Sequence, residues 1–184
     1  INISDPLLDE KSTIKLWGDA KFRVLGVGTL KPQKDFSTLI RAFSYLSGKI
    51  KARLIILGEG EERLSLNKLI IKLGLTDSVK LPGFKLDPQL WFKSADVYVH
   101  SSRYDGLPLV IIEALACGTP VVSTDCKSGP AEILDNGRYG KLVPVGKPHE
   151  MAKAIEECLL EEKNPDELIH RSKNFTVEKI SREY

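Results

Sequence analysis

The sequence contains few cysteines, and none of its residue spacings is typical of a metal site or a disulfide framework. Cys117, Cys126 and Cys158 lie far apart and include no C-x-x-C pair. The three histidines are scattered, and neither H-x-x-x-H, H-E-x-x-H nor D-x-D occurs. These absences argue against a disulfide scaffold and against a zinc site, and the unpaired thiols predict a reducing compartment.

Long hydrophobic runs and an excess of one charge are also missing. No apolar run approaches the roughly 20 residues of a membrane helix, and the opening "INISDPLLDEK" lacks the basic start and apolar middle of a secretion signal. With 27 Lys and Arg against 25 Asp and Glu, the net charge is +2. No broad field favours nucleic acid or an anionic membrane over small solutes. With the reducing compartment that the thiols indicate, we expect a cytoplasmic location.

The pattern that is present is an alternation of short apolar runs with longer amphipathic segments. In a chain of 184 residues that is 42% hydrophobic, this predicts an α/β, Rossmann-like doubly wound parallel sheet buried on both faces. The predicted strands are Phe22–Gly28, Ala52–Gly58, Ser78–Gly83, Asp96–Ser101, Pro120–Thr124 and Gly140–Pro144. The predicted helices are Asp35–Leu46, Glu61–Leu73, Asp87–Ser94, Leu109–Cys117, Pro148–Leu160 and Asp166–Tyr184. In Glu61–Leu73 one apolar face is expected to contain Leu64, Leu66, Leu69, Ile70 and Leu73. We expect an interdomain linker and lead-in over 1–21, the Rossmann-like domain over 22–163 and a helical segment over 164–184.

Ligands of such sheets lie beyond the carboxyl ends of the strands, so the loops after the strands are informative. After the first strand, Gly26 and Gly28 allow close approach to an anion, and Lys34 can reach a phosphate. Lys31 stands where the dinucleotide fingerprint has its third glycine. The alternative is that two glycines shape a turn and the lysine lies on a solvated surface.

The next two loops carry weaker signals. The favourable interaction of acidic side chains with the positive end of a helix explains Glu61 and Glu62, while Glu59 has no assigned role. After the third strand, the backbone of Gly83 and Phe84 can hydrogen-bond the edge of a flat base. Packing in the core is an equally good explanation of Phe84.

The stretch "SSRYDGLPLVIIEALACGTP" is the most informative loop. A sharp turn at Gly106 leads into a helix, where the free amides of Leu107, Leu109 and Val110 can hold a phosphate. Pro108 cannot donate such a hydrogen bond.

Two carboxylates accompany this phosphate site. Asp105 precedes the turn, and Glu113 lies about one turn into an otherwise apolar helix, where sugar hydroxyls can supply the hydrogen-bond donors that a carboxylate needs. The structural alternatives are a helix cap for Asp105 and a buried salt bridge for Glu113. Glu132, early in the next helix, fits a helix start and the rim of the site equally well.

These segments together resemble a known family. "VGTLKPQKDFSTLIRAF", "LGEGEER", "LPGF", "SSRYDGLPLVIIEALACGTPVVSTDCKSGPAEIL" and "NGRYGKLVPVGKPHEMAKAI" are similar to the C-terminal domain of family 4 retaining glycosyltransferases, which have the GT-B fold. The resemblance runs from about Phe22 to the end of the chain. It implies that 22–163 is a nucleotide-sugar-binding domain.

The resemblance also implies roles for individual residues. The family's acidic pair, with seven residues between its members, falls on Asp105 and Glu113. The first acid is expected on the transferred sugar and the second on the ribose, while Lys34 is expected to bind phosphate and stabilise the leaving group. Asp105 and Lys34 are thus the expected catalytic residues. The expected donor-binding residues are Gly28, Thr29, Lys34, Gly83, Phe84, Gly106, Leu107, Leu109 and Glu113, with no metal.

Three positions depart from the family pattern. The first acid is usually Glu and here is Asp105, one methylene shorter. Thr29 stands where the family commonly has Arg, so Lys34 has less help against the diphosphate charge. Pro108 replaces a glycine that many members have.

The expected function is that of the donor half of a metal-independent, retaining hexosyltransferase in polysaccharide biosynthesis. The donor is expected to be a UDP-sugar and the acceptor a glycan or lipid-linked sugar, bound by an N-terminal domain that this sequence lacks. The chain alone should therefore transfer poorly or not at all. In the complete protein, peripheral association with the inner face of the membrane is expected. The alternatives are a nucleotide-sugar epimerase of the same fold, a non-catalytic nucleotide-binding module and, last, a dehydrogenase.

Overall fold

One sheet of six parallel strands organises residues 15–175, the part of the chain that this computed structural model describes. The strands are β1 (Phe22–Val27), β2 (Ala52–Leu57), β3 (Val79–Gly83), β4 (Val97–His100), β5 (Val121–Thr124) and β6 (Lys141–Val143). Their order is β3-β2-β1-β4-β5-β6, and every neighbouring pair is parallel. The order reverses between β1 and β4, which creates the crevice where doubly wound sheets bind their ligands.

Helices cover both faces of the sheet, as the apolar strands require. They are α1 (Phe36–Leu46), α2 (Arg63–Lys72), α3 (Gln89–Ser94), α4 (Leu109–Ala116), α5 (Pro130–Ile133), α6 (Pro148–Leu160) and α7 (Pro165–Ser172), with 3-10 turns at Pro32–Lys34 and Lys173–Phe175. Adjacent strand residues point to opposite sides: Val24 packs with buried residues of α1, α2 and α6, and Leu25 with those of α3 and α4. The predicted fold class is confirmed, and each predicted strand agrees within one residue at either end.

The predicted helix Glu61–Leu73 is wrong in its start and in its buried face. The helix begins at Arg63, and Leu64, which was expected on the apolar face, is 74% exposed. Its fully buried residues are Leu66 and Ile70. Residues two apart on a helix lie about 200° apart around the axis, so Leu64 cannot share a face with Leu66.

Both ends of the described chain pack on the sheet domain. Trp17, within the predicted linker and lead-in, is 1% exposed; its indole packs against Trp91 and donates to Oγ of Ser94 at 2.9 Å. The helix expected over Asp166–Tyr184 ends at Ser172 and is followed by a 3-10 turn. Predictions for residues 1–14 and 176–184 lie outside the described residues.

We predict that Trp17→Ala destabilises the chain by about 3–5 kcal/mol, because it removes a buried indole and leaves a cavity beside Trp91. Urea unfolding measures this change. Leu160→Ala, at an exposed residue, is the matched control and should change the free energy of unfolding by less than about 0.5 kcal/mol. Equal effects of the two substitutions would contradict the role given to Trp17.

Candidate functional site

The loops that follow β1 and β4 meet at the point where the strand order reverses. The hydroxyl of Ser101 donates to the carbonyl oxygen of Lys34 at 2.7 Å, and the amide of Arg103 donates to the carbonyl oxygen of Gln33 at 2.8 Å. The side-chain amide of Gln33 in turn donates to the carbonyl oxygen of Tyr104 at 3.0 Å. Both loops are therefore held together at the carboxyl edge of the sheet.

Lys34 and Asp105, the two residues predicted to be catalytic, form an ion pair at this junction. Nζ of Lys34 lies 2.5 Å from Oδ2 of Asp105, and Nε2 of His100 lies 3.1 Å from the same oxygen. The hydrogen bond from His100 and the charge of Lys34 outweigh partial burial and lower the pKa of Asp105 from 3.8 to about 2. Asp105 does not cap α4, so the alternative of a helix cap is wrong.

His100 is a site residue that the sequence did not reveal. It is the last residue of β4, its side chain is 2% exposed, and its Nδ1 lies 3.1 Å from Oγ of Ser123 on the adjacent strand β5. Burial lowers the pKa of His100, and the neighbouring Asp105 only partly offsets this effect. The available signal was one histidine ending an apolar strand five residues before Asp105.

The turn before α4 is tighter than the sequence predicted. The amide of Leu109 donates to the carbonyl oxygen of Leu107 at 2.9 Å, and Pro108 between them has φ −75° and ψ 80°, which is an inverse γ-turn. The expectation that Leu109 offers a free amide is therefore wrong. Within residues 15–175, the amides of Leu107 and Val110 have no hydrogen-bond partner. A methyl group at Gly106 would meet no atom within 4 Å, so the turn is open to solvent there.

Glu113 lies on the exposed side of α4 and forms no ion pair within the described residues. The alternative of a buried salt bridge is therefore wrong. Partial burial against the apolar helix raises the pKa of its carboxyl group. The carboxylate is available to hydrogen-bond donors from a ligand.

A cavity of about 340 Å³ opens beside the ends of β1, β2 and β3. Its walls include Gly28 and Thr29 from the first loop, Glu59 from the second, and Phe84 and Lys85 from the third. This volume lies within the range of small-molecule pockets. Phe84 is 68% exposed, so its side chain is not part of the core.

The glycines around this cavity have different roles. Gly26 faces helix α1, where a methyl group would lie 3.1 Å from Leu39, so it serves packing and not the approach of an anion as expected. The carbonyl of Gly83 accepts the amide of Gly58 at 3.0 Å, which ties the ends of β3 and β2 together. The backbone groups of Phe84 have no hydrogen-bond partner in the part of the chain described. At this strand end the carbonyl of Gly83 is thus already occupied, whereas the backbone groups of Phe84 are available.

The loop after β5 packs closely against the turn that carries Asp105. Gly129 has φ +89°, and a methyl group there would lie 2.5 Å from Cδ of Pro108 and 3.0 Å from the carbonyl oxygen of Gly106. Only glycine fits so close an approach at this backbone angle. Helix α5 begins directly afterwards, with Glu132 exposed in its first turn.

Two other findings describe what residues 15–175 lack. No group of three or more His, Cys, Asp or Glu side chains is arranged to hold a metal ion there. None of the helices in this range is both long and apolar enough to cross a bilayer.

A second cavity, of about 240 Å³, lies at the amino ends of β5 and β6, beside Pro120 and Lys141. None of the predicted site residues lines it.

The fold and the site together define a Rossmann-like α/β domain with a ligand cleft at its strand-order reversal. The sequence model of the family "Glycosyl transferases group 1" matches residues 9–175, and the chain belongs to this family.

Individual relatives agree with this assignment. The lipopolysaccharide core biosynthesis glycosyltransferase LpsE of Rhizobium meliloti is 36% identical over 160 residues, which cover 87% of this chain and 46% of LpsE. The N-acetylgalactosamine-N,N'-diacetylbacillosaminyl-diphospho-undecaprenol 4-alpha-N-acetylgalactosaminyltransferase of Campylobacter jejuni is 34% identical over 164 residues, or 87% of this chain and 44% of that protein. The crystal structure of Anabaena HepE in complex with UDP superposes with a TM-score of 0.83 at 26% identity, over 98% of this chain and 52% of HepE. The chain thus spans about half the length of such relatives.

The depressed pKa of Asp105 predicts a pH-dependent contribution to stability. Because the folded-state pKa is about 2 against an ordinary 3.8, the contribution is complete above about pH 4 and is lost as the pH falls through 2. At pH 7, Asp105→Asn should lower the free energy of unfolding by about 1 kcal/mol, and this difference should shrink between pH 4 and pH 2. Urea unfolding across that range measures it, with the exposed Asp77→Asn as the control. A difference that does not change with pH would contradict the prediction.

Gly129→Ala should displace the turn at Asp105–Pro108, because the new methyl group would overlap Pro108. Gly48 offers a matched control, since it has φ +90° and no atom within 4 Å of a methyl group placed there. Both variants bear the strain of positive φ, about 1 kcal/mol, but only Gly129→Ala should shift the backbone NMR signals of residues 105–108. Unchanged signals would show that the two loops are not in contact.

Proposed function

We propose that this chain is the C-terminal, nucleotide-sugar-binding domain of a two-domain, retaining glycosyltransferase of family 4 with the GT-B fold. The observation that carries the proposal is the half-buried Lys34–Asp105 pair at the strand-order reversal, between the cavity beside Phe84 and the start of α4. The cavity, the cation beside an open turn, and the carboxylate match, in this order, the base, the diphosphate and the sugar of a nucleotide-sugar. The family assignment and the position of the cleft support the same class of ligand.

The base and ribose would occupy the side of the cleft that β1, β2 and β3 form. The free backbone amide and carbonyl of Phe84 can pair with a base edge that offers one acceptor and one donor, as uracil does. Gly28 and Thr29 line the same cavity from the first loop. The exposed carboxylate of Glu113 would accept hydrogen bonds from the ribose hydroxyls.

The diphosphate would bind between Lys34 and the turn before α4. The amides of Leu107 and Val110 have no partner within residues 15–175 and can donate to phosphate oxygens. The charge of Lys34 would stabilise the leaving diphosphate as the glycosidic bond breaks. To do so, its ammonium group must move from Asp105 toward the phosphate or be shared between the two.

Asp105 would bind the transferred sugar. Its Oδ2 already accepts from Lys34 and His100, whereas Oδ1 has no partner within the described chain. Oδ1 can therefore accept a hydroxyl of the sugar without breaking an existing contact.

The relatives support the finer parts of the proposal. HepE was solved with UDP, LpsE acts in lipopolysaccharide core biosynthesis, and the Campylobacter enzyme is named for a diphospho-undecaprenol-linked substrate. We propose a UDP-sugar donor, transfer of a hexosyl residue without a metal, and a glycan or lipid-linked acceptor in polysaccharide biosynthesis. The acceptor site would belong to an N-terminal domain. The complete, two-domain protein would act in the cytoplasm, at the inner face of the membrane. This chain alone would bind the donor without transferring it.

Calorimetric titration of this chain with UDP, GDP, ADP and NAD, in the presence of a metal chelator, tests the proposal. UDP should bind, and Lys34→Ala and Glu113→Ala should each weaken binding about tenfold or more, since each removes one charged contact. The exposed residues Lys49 and Glu150 provide matched controls as alanine variants. Binding of NAD in preference to UDP would favour a dehydrogenase, and binding of no nucleotide by the folded chain would refute a donor site formed by this domain alone.

An epimerase remains the second candidate for the longer protein. Incubating that protein with UDP-N-acetylglucosamine alone distinguishes the two activities, because an epimerase changes the sugar without an acceptor. A transferase needs an acceptor, and a non-catalytic binding module would leave the donor intact in either case.

A further inference from the structure

Both ring nitrogens of the buried His100 lie within hydrogen-bond distance of a polar side chain. Nδ1 is 3.1 Å from Oγ of Ser123 on β5, and Nε2 is 3.1 Å from Oδ2 of Asp105 in the loop after β4. A ring that is 2% exposed needs such partners, since an unpaired polar atom in the interior is costly. His100 thus links the rigid sheet to the loop that carries Asp105.

The chemistry of the partners determines the direction of these hydrogen bonds. An ionised carboxylate can only accept, so Nε2 of His100 must carry a proton that it donates to Asp105. If the ring is neutral, the hydroxyl of Ser123 can donate to Nδ1. If the ring is protonated on both nitrogens, Nδ1 donates to Ser123, whose hydroxyl then donates to the carbonyl of Thr124 at 2.9 Å. Burial lowers the pKa of His100 and so favours the neutral ring with its proton on Nε2.

Few other groups constrain the carboxylate of Asp105. Lys34 approaches the same oxygen, Oδ2, but its ammonium group is the one expected to respond to a diphosphate. The remaining titratable groups that interact with Asp105 are the buried phenol of Tyr98 and the buried thiol of Cys126, and burial raises the pKa of both. The thiol of Cys126 interacts with the backbone of Asp105, and within the described residues neither group hydrogen-bonds its carboxylate. His100 is therefore the neutral, sheet-anchored donor to Oδ2.

We propose that His100 is a positioning residue, whose Nε2–H holds Oδ2 of Asp105 in place while Lys34 engages the diphosphate, and leaves Oδ1 for the transferred sugar. Ser123 orients the ring, because its hydroxyl donates to the unprotonated Nδ1 of the neutral imidazole. The part of this inference that concerns the sugar rests on the proposed function, whereas the link from His100 to Asp105 does not.

Two substitutions at His100 separate positioning from simple packing. The longer side chain of His100→Gln places an amide donor near the position of Nε2, whereas the amide of His100→Asn lies near Nδ1 and cannot reach Asp105. The chain is labelled with carbon-13 at its aspartate carboxyl groups, and the signal that disappears in Asp105→Asn is assigned to Asp105. The shift of this signal with pH gives the pKa of Asp105. We expect His100→Asn to raise the pKa of Asp105 toward 3.8 and His100→Gln to restore most of the difference.

Donor binding provides the second measurement. His100→Asn should reduce the additional affinity for UDP-glucose or UDP-N-acetylglucosamine, relative to UDP, by about fivefold or more, with His100→Gln close to wild type. If the wild-type chain binds no nucleotide, the proposed function fails, while the titration of Asp105 still tests the hydrogen bond from His100. An equal effect of Asn and Gln on the titration, or no effect of either, would overturn the positioning role.

A measurement on the wild-type chain covers the case in which His100→Asn does not fold. The nitrogen-15 signals of His100 should show a protonated Nε2 and an unprotonated Nδ1 at neutral pH. Ser123→Ala, a smaller change, should weaken this preference without unfolding the chain. A ring protonated only at Nδ1 could not donate to Asp105 and would contradict the inference.

Discussion

The ion pair between Lys34 and Asp105 is the interaction on which the rest of the site depends. The two residues are 71 positions apart, and they meet because β1 and β4 are neighbours at the centre of the sheet. The side chains of Lys34 and Asp105 are 20% and 15% exposed, so each charge is stabilised by the other, and His100 donates a further hydrogen bond to Asp105. The same pair keeps a cation and a carboxylate at one point of the cleft, where a charged, hydroxyl-bearing ligand would need both.

Around this pair, the cleft is shaped by close contact between backbones. A methyl group at Gly58 would lie 1.9 Å from the carbonyl oxygen of Gly28, and one at Gly129 would overlap Pro108. The loops after β1, β2, β4 and β5 therefore support one another through glycines, which allows them to approach more closely than side chains would permit. Such packing limits the motion of the loops around the cleft. The close contact between loops by itself accounts for glycine at positions 58 and 129, without a direct role in binding.

Much of the architecture followed from local pattern. Every predicted strand agreed within one residue, because a parallel strand buried on both faces needs a continuous apolar run bounded by turn residues. The rule that ligands lie at the carboxyl ends of strands correctly brought Lys34 and Asp105 to one edge. The errors were of another kind. Leu64 was placed on the wrong face of its helix, Leu109 was expected to have a free amide, and Gly26 was assigned to an anion.

What the sequence alone determined is therefore the fold, the loops that form the cleft and the family, since these depend on apolar periodicity and on short motifs. Only the tertiary structure decided how the side chains meet: that Asp105 pairs with Lys34 instead of capping a helix, that Glu113 has no ion-pair partner among residues 15–175, and that His100 joins the site. The reason is physical. Hydrogen bonds and ion pairs between residues distant in the chain act over about 3 Å, and neighbours at that distance are set by strand order and packing.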